Sequence, residues 1–128
     1  MTESSRVMVL DDEINIRESL AGYLEDCGFD VVSAESAEEA LEPGRLDDVG
    51  VAIVDIRLGG MDGLSFIRKV RLVRPDMYFL IHTGSTEFRL DGDLRALGMT
   101  DMEVLYKPVL DMGVFEQLIS AHLPRQTA

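Results

Sequence analysis

The stretch VAIVDIRLGGMDGL, residues 51–64, decides the fold. Its first four residues form a continuous apolar run, which predicts a strand that is covered on both faces of a sheet. The run ends at Asp55, and a glycine-rich turn follows. The carboxylate of Asp55 is therefore expected at the edge of a sheet, where a strand gives way to a loop.

Three other apolar runs also end in polar residues. They are RVMVL before Asp11 and Asp12, MYFLIH before Thr83, and EVLY before Lys107. If these strands are parallel, their ends meet along one edge of the sheet, which is where open α/β sheets bind ligands. The sequence thus predicts one pocket that contains three carboxylates, a hydroxyl and an ammonium group.

Strands alternate with helical patterns five times along the chain, which predicts an α/β fold with a doubly wound, five-stranded parallel sheet and five helices. The predicted strands are residues 6–10, 30–33, 51–54, 77–82 and 103–106. Ser36 and Glu39 match a capping box for a short second helix. The fourth helix is the weakest pattern, somewhere within residues 88–97 and closed by Gly98.

Apolar residues at helical spacing predict which helix faces are buried. The predicted inner faces are Ile14, Leu20, Ala21 and Leu24 in the first helix, Leu64, Ile67, Val70 and Leu72 in the third, and Val114, Phe115, Leu118, Ile119 and Leu123 in the last. The predicted outer face of the third helix is Arg68, Lys69, Arg71 and Arg74.

Length and composition favour one acidic domain. The chain has 128 residues, with a predicted core of about 5–123 and no predicted output domain, and its formal net charge is −12. Such a charge opposes direct binding to nucleic acid. We see no run long enough for a membrane span and no export leader, so we expect a cytoplasmic protein. The single cysteine, Cys27, precedes Gly28 at a predicted helix end and is expected to be a small boundary residue.

The predicted pocket suits phosphoryl chemistry on a carboxylate. Asp11, Asp12 and Asp55 offer the oxygen ligands that Mg²⁺ prefers. An ionised Asp55 could act as a nucleophile, while Lys107 and Thr83 could contact the oxygens of a transferred phosphoryl group. Each residue alone has a simpler explanation: an aspartate can cap a helix or begin a turn, and a lysine can end a strand in solvent. Their shared position after apolar runs favours the pocket.

In these residues the chain resembles the receiver domain of two-component response regulators. The matching residues are Asp11, Asp12, Asp55, Met61, Asp62, Gly63, Thr83, Lys107 and Pro108. The resemblance implies a flavodoxin-like sheet with strand order 2-1-3-4-5 and an Mg²⁺-dependent phosphoacceptor at Asp55. It also implies that Asp12, Asp55 and the backbone carbonyl of Arg57 ligate the metal, that Asp11 acts mostly through water, and that the Lys107–Pro108 bond is cis.

The resemblance also implies partners. A sensor histidine kinase or a phosphotransfer protein would donate the phosphoryl group, and a downstream effector protein would read the surface of the fourth helix, fifth strand and fifth helix. We expect a monomer or a weak dimer that depends on phosphorylation. Whether the chain stands alone or belongs to a longer protein stays open.

Three features depart from the family pattern. Gly59 occupies a position where proline is usual, and Gly60 follows it. Val104 stands where the family commonly has an aromatic switch residue, so Tyr106 either takes over that role or contacts a partner. The spacing from Gly98 to Lys107 is longer by about two residues, so the fourth helix and its following loop are expected to be remodelled.

Further residues are predicted near the pocket, and two other functions are compatible with the same fold. Arg57, Gly84 and Ser85 are expected to flank the pocket, and Arg57 and Ser85 to influence the loss of the phosphoryl group. His82 is expected to point away from Thr83 and to be packed, and His122 to be solvated. One alternative is a pseudo-receiver that binds partners without being phosphorylated. Another is an Mg²⁺-dependent phosphatase, which often carries a second acid where this chain has Arg57.

Overall fold

The structure, a computed structural model, describes residues 5–123. These residues form one parallel sheet of five strands in the order β2-β1-β3-β4-β5, with five α-helices between and after the strands. The strands are β1 (Arg6–Leu10), β2 (Asp30–Ala34), β3 (Val49–Val54), β4 (Tyr78–Thr83) and β5 (Val104–Tyr106). The helices are α1 (Ile14–Asp26), α2 (Ala37–Ala40), α3 (Gly63–Val73), α4 (Gly92–Ala96) and α5 (Gly113–Ser120).

The predicted architecture and strand order are confirmed. Strand bounds differ by one or two residues at their ends, and the Lys107–Pro108 bond is cis, as the resemblance implied. The fourth helix is short, and a 3-10 helix at Asp101–Glu103 takes up part of the long connection to β5. Residues 1–4 and 124–128, which belong to the predicted single domain, lie outside the described part of the chain.

Two apolar clusters cover the two faces of the sheet, because alternate residues of each buried strand point to opposite sides. On β1, Val7 and Val9 contact the cluster that contains α1 and α5, whereas Met8 and Leu10 contact the cluster that contains α2, α3 and α4. The strands β1 and β3 are covered on both sides, and this explains their continuous apolar sequences.

The predicted inner faces are correct except at helix ends. Ile14 is 56% exposed and Leu72 is 86% exposed, so neither belongs to the core. In α3 the buried residues include Phe66 instead, together with Ile67 and Val70. The face of α3 that meets the sheet is thus centred on Phe66, Ile67 and Val70, and Leu72 lies on the opposite side.

Two arginines predicted for the outer face of α3 are structural. Arg71 donates hydrogen bonds to the carbonyls of Met77 and Leu97, and Arg74 donates to those of Leu46 and Val49. These bonds attach the end of α3 to the loop before β4, to the end of α4 and to the segment that enters β3. A long arginine side chain can reach buried carbonyls from the rim of a helix, which a pattern of polar and apolar residues does not show.

The capping box at α2 forms only in part. The Ser36 hydroxyl accepts a hydrogen bond from the Glu39 amide at 3.0 Å, as expected. The Glu39 carboxylate accepts from the amide of Glu35 rather than from that of Ser36. Among residues 5–123, none of the helices is both long and apolar enough to cross a membrane.

Candidate functional site

The site lies at the carboxyl edge of the sheet, where the ends of four strands come together. The register pairs Leu10 with Val54, and the amide of Asp55 donates to the Leu10 carbonyl at 3.0 Å. On the other side, the amide of Lys107 donates to the Thr83 carbonyl at 2.7 Å. Backbone pairing therefore places Asp11, Asp55, Thr83 and Lys107 at one edge, with Thr83 as the last residue of its strand and the other three directly after theirs.

Lys107 is the centre of the site. Its Nζ lies 2.9 Å from Asp11, 3.0 Å from Glu13 and 3.3 Å from Asp55. Asp11 and Asp55 are 2% and 4% exposed, so a single ammonium contacts two buried carboxylates and offsets part of their charge.

Asp55 is held by its backbone as well as by Lys107. Its Oδ1 accepts a hydrogen bond from the Arg57 amide at 3.2 Å. Burial raises the pKa of the Asp55 carboxyl, Lys107 opposes that rise, and the nearby Asp11 adds to it. Position 63 needs a glycine, since a Cβ there would lie 2.2 Å from the Asp55 carbonyl oxygen. The start of α3 thus packs directly against the backbone of Asp55.

Asp11 is oriented by the beginning of α1. Its carboxylate accepts a hydrogen bond from the amide of Glu13 at 2.9 Å, and its carbonyl accepts one from the Arg17 guanidinium at 2.8 Å. Asp12 is exposed and faces the open cleft. The three acids after β1 therefore differ in environment: one is buried against Lys107 and two are at the surface.

The segment that follows Thr83 forms the opposite wall of the cleft, and Thr83 itself does not line the cleft. Thr83 is fully buried, and its hydroxyl accepts a hydrogen bond from the amide of Ser85 at 3.1 Å. The Arg57 guanidinium donates to the Ser85 hydroxyl at 3.3 Å across the mouth of the cleft. The cleft has a volume of about 520 Å³, and the residues that line it are Asp12, Glu13, Asp55, Arg57, Gly84, Ser85, Thr86, Glu87 and Lys107.

The donor set fits a hard divalent cation. Carboxylate oxygens of Asp11, Asp12, Glu13 and Asp55 all lie within 4.8 Å of one another. Oxygen ligands of this kind are those that Mg²⁺ takes in proteins, usually together with water. Clustered carboxylates repel one another, so a positive charge among them, whether an ammonium or a metal, stabilises the site.

The sequence did not predict the contacts that Glu13 and Glu38 make at the site. The Glu13 carboxylate contacts Lys107. Glu38, in α2, accepts a hydrogen bond from the Met61 amide at 2.9 Å and so fastens the loop after Asp55. This bond lowers the pKa of the exposed Glu38 carboxyl. Glu13 could have been found from its place beside Asp11 and Asp12, whereas Glu38 gave no local signal.

The residues predicted for the output surface differ in exposure. Val104 is 9% exposed and belongs to the core cluster that includes Leu90 and Leu94. Tyr106 is 36% exposed, and its hydroxyl donates to the Phe88 carbonyl at 2.7 Å. The Arg89 guanidinium also donates to that hydroxyl. Tyr106 is thus tethered to the loop before α4.

The remaining candidates lie away from the cleft. His82 is 6% exposed and packs edge-to-face against Phe115, on the side of the sheet opposite to the core contacts of Ile81. His122 is exposed, and its ring stacks on that of Tyr78 with centroids 3.4 Å apart, so one face of the imidazole is covered rather than solvated. Cys27 is half-buried at the end of α1.

Comparison with known sequences gives a consistent family. The sequence model of the response regulator receiver domain matches residues 7–119. The transcriptional regulatory protein FixJ of Azorhizobium caulinodans is 33% identical over 114 residues, which are 89% of this chain and 53% of that protein. The C4-dicarboxylate transport transcriptional regulatory protein DctD of Rhizobium meliloti is 39% identical over 84 residues, 66% of this chain and 18% of that protein. The chain spans well under two thirds of these relatives.

Solved structures that are similar to this chain are also response regulators. A response regulator receiver protein from Pseudomonas putida has a TM-score of 0.77 and 30% identity, and the match covers 95% of this chain and all of that one. The response regulator TrrA of Thermotoga maritima, solved in complex with Mg²⁺ and BeF, has a TM-score of 0.78 and 28% identity, with 91% and 97% of the two chains covered.

Proposed function

The chain belongs to the family of response regulator receiver domains, and from that membership we propose that Asp55 is its phosphoacceptor. The observation that carries the proposal is the contact of one ammonium, Lys107 Nζ, with the buried carboxylates of both Asp11 and Asp55. A buried carboxylate beside a fixed cation, at the floor of an open cleft, suits nucleophilic attack on a phosphoryl group.

In the proposed reaction, an oxygen of the Asp55 carboxylate attacks the phosphorus of the donor. The new P–O bond forms an acyl phosphate, and the bond from phosphorus to the donor's nitrogen or oxygen breaks. The donor is a phosphohistidine of a sensor histidine kinase or phosphotransfer protein, or a small phosphodonor such as acetyl phosphate or phosphoramidate. The electron pair of the broken bond leaves with the donor, which takes up a proton.

Lys107 and Thr83 are proposed to contact the negatively charged oxygens of the transferred phosphoryl group. The Lys107 ammonium already lies 3.3 Å from the Asp55 carboxylate, so it can follow a phosphoryl oxygen without a large movement. The Thr83 hydroxyl oxygen accepts a hydrogen bond from the Ser85 amide. The hydroxyl proton of Thr83 therefore remains available for donation to a phosphoryl oxygen. Phosphoryl transfer depends mainly on such positioning and charge neutralisation.

Asp11, Asp12, Asp55 and the backbone carbonyl of Arg57 are the residues we propose as the Mg²⁺ site. The clustering of carboxylate oxygens within 4.8 Å supports this assignment for the three aspartates and adds Glu13 as a neighbour. Bound Mg²⁺ would supply positive charge that offsets the oxygens of the transferred phosphoryl group.

The stored phosphoryl group is lost when water attacks phosphorus and the Asp55 carboxylate leaves. Arg57 and Ser85 bond to each other across the cleft mouth, so we propose that this pair restricts the approach of water. Val104 and Tyr106 are proposed to belong to the surface that an effector reads. The tether from Tyr106 to the loop before α4 supports coupling between the cleft and that surface, because the same loop continues from Thr83 and Ser85.

Intact-mass spectrometry after incubation with acetyl phosphate or phosphoramidate tests the proposal. We expect wild type to gain one phosphoryl group only with Mg²⁺, Asp55→Asn to gain none, and Asp76→Asn, which replaces an exposed aspartate far from the cleft, to behave like wild type. A folded wild type that gains no mass would favour the pseudo-receiver alternative. A gain that survives Asp55→Asn would assign the acceptor to another residue.

A further inference from the structure

The loop that follows Asp55 is held at its far end by a carboxylate from another helix. Glu38 of α2 accepts a hydrogen bond from the Met61 amide at 2.9 Å. Ala37 and Ala40 of the same short helix are fully buried in the core, so α2 is fixed against the sheet and presents the carboxylate from a defined position. Glu38 itself is exposed and does not line the cleft.

The held segment contains two adjacent glycines. Gly59 stands where proline is usual in the family, and an added Cβ there would meet no atom within 4 Å. Gly60 has a φ of +78°, in the left-handed region that favours glycine. Glycine loses more conformational freedom on ordering than any other residue, so this segment needs an outside contact to stay in one conformation. The buried side chain of Leu58 and the bond to the Met61 amide enclose the two glycines.

The contact between Glu38 and Gly60 is close. An ideal Cβ at position 60 would lie 2.8 Å from Oε2 of Glu38, nearer than such atoms approach. The carboxylate therefore occupies the space that a side chain at position 60 would take, and from there it reaches the Met61 amide. Glycine at position 60 both loosens the loop and admits the carboxylate that restrains it.

The restrained loop carries two groups of the proposed site. The carbonyl of Arg57 is a proposed Mg²⁺ ligand, and the guanidinium of Arg57 donates to Ser85 across the cleft mouth. When the conformation that binds a ligand is only partly populated, the dissociation constant rises by the inverse of that fraction. One net hydrogen bond at the surface changes such a population by about fivefold. Loss of the bond from Glu38 should thus weaken Mg²⁺ binding, although Glu38 is not one of the ligands.

We propose that Glu38 is a positioning residue of the phosphoacceptor site, which holds the loop after Asp55 in the conformation that binds Mg²⁺. The inference rests on the proposed function, because it concerns the metal that assists transfer to Asp55. Its hydrogen bond supplies from α2 the restraint that a proline at position 59 would supply from within the loop.

Calorimetric titration of the whole chain with MgCl₂, without any phosphodonor, compares two variants of Glu38. We expect Glu38→Ala to raise the dissociation constant for Mg²⁺ roughly fivefold, the equivalent of one net hydrogen bond. Glu38→Gln keeps an oxygen that can accept from the Met61 amide, so it should stay within roughly twofold of wild type. Glu42→Ala, which removes the same charge from an exposed residue just after α2, is the control. Equal losses in the Ala and Gln variants would show an effect of charge alone and overturn the proposal.

Two further measurements report on the loop itself. Gly59→Pro should stiffen the segment independently, so Glu38→Ala should cost roughly twofold or less in that background. In metal-free protein, hydrogen exchange of the Met61 amide should be roughly fivefold faster in Glu38→Ala than in wild type, and near wild type in Glu38→Gln. Unchanged exchange in Glu38→Ala, or an equal cost in both backgrounds, would contradict the role of the loop.

Failure of the proposed function would be recognised in wild type. A wild type that binds Mg²⁺ but gains no phosphoryl group would refute Asp55 as the acceptor, and the titrations would still decide the role of Glu38. A wild type that binds no Mg²⁺ would overturn the metal site and with it this role of Glu38. If wild type is phosphorylated, the slower reaction expected of Glu38→Ala should recover at saturating Mg²⁺, because the bound metal itself selects the competent loop conformation.

Discussion

Lys107 has an unusual setting for a lysine, because it lies against three carboxylates and is itself largely covered. Burial alone would lower the pKa of its ammonium, but the hydrogen bonds to Asp11 and Glu13 and the charges of Asp11 and Asp55 raise that pKa above its ordinary value. The lysine therefore stays charged. Its ammonium contacts Asp11 and Asp55, whose carboxylate oxygens we also propose as Mg²⁺ ligands.

Replacing Lys107 by methionine should strengthen Mg²⁺ binding and weaken phosphoryl transfer. The variant removes a positive charge close to the metal site, so we expect the dissociation constant for Mg²⁺ to fall roughly tenfold. Isothermal titration calorimetry measures it, and Lys69→Met, which removes an exposed lysine of α3, is the control. An unchanged or larger dissociation constant would show that the ammonium does not compete with the metal.

His82 should make the protein sensitive to mild acid. Its pKa is lowered to about 4 in the folded state, against an ordinary value of 6.5, so the unfolded chain takes up a proton first as the pH falls. The stability contributed by neutral His82 is complete above pH 6.5 and is lost as the pH drops toward 4. We expect a loss of about 2 kcal/mol between pH 7.5 and pH 5.

Urea unfolding at several pH values checks this expectation. His82→Phe keeps a ring against Phe115 but has no titratable group at this position. The difference in free energy of unfolding between wild type and variant should therefore change by about 2 kcal/mol from pH 7.5 to pH 5. If the two stability curves run parallel from pH 7.5 to pH 5, His82 is not protonated on unfolding, and the argument from its burial fails.

At the scale of a single element, α3 joins the fold through polar contacts as well as through its apolar face. Arg71 bonds to the carbonyls of Met77 and Leu97, which belong to two other segments. We expect Arg71→Ala to lower the free energy of unfolding by about 2 kcal/mol, because two charge-assisted, partly buried hydrogen bonds to carbonyls are lost. Lys69→Ala on the same helix should stay within about 0.5 kcal/mol of wild type. Equal effects of the two variants in urea unfolding would contradict this.

Helix α3 also shows which buried residues can be predicted from sequence and which cannot. Ile67 and Val70 were placed correctly, since helical spacing predicts the middle of a buried face. The prediction for Leu72 was wrong because the residue lies two positions after Val70, on the side of α3 that faces away from the sheet, and its apolar character alone does not show this. Arg71 was placed on the solvent side because its hydrogen-bond partners lie in distant segments.

The residues at the sheet edge were predictable for a different reason. Asp11, Asp55, Thr83 and Lys107 each follow an apolar run, and parallel pairing brings such ends together whatever the loops do. Glu38 was not predictable, because its bond to the Met61 amide depends on how α2 packs beside the loop after Asp55. Topology fixes residues at strand ends, whereas contacts between loops and helices depend on the packing of the whole chain.

At the scale of the molecule, acidity and metal binding are linked. The net charge of −12 makes the folded chain repel itself, and the four acids of the cleft concentrate that repulsion. Any salt screens the general repulsion, but only a cation that binds the cleft stabilises the folded state specifically. The two effects can be separated by comparing salts at the same ionic strength.

Thermal unfolding should therefore respond more to MgCl₂ than to NaCl of matched ionic strength. When free Mg²⁺ is tenfold above its dissociation constant, binding adds about 1.4 kcal/mol to the free energy of unfolding, which raises Tm by roughly 5 °C. Asp12→Asn removes an exposed acid of the cleft and should abolish the difference between the salts, whereas Asp76→Asn removes the same charge elsewhere and should retain it. If both salts raise the Tm of wild type equally, the acidic cleft acts only through general electrostatics, and its assignment as a magnesium site is wrong.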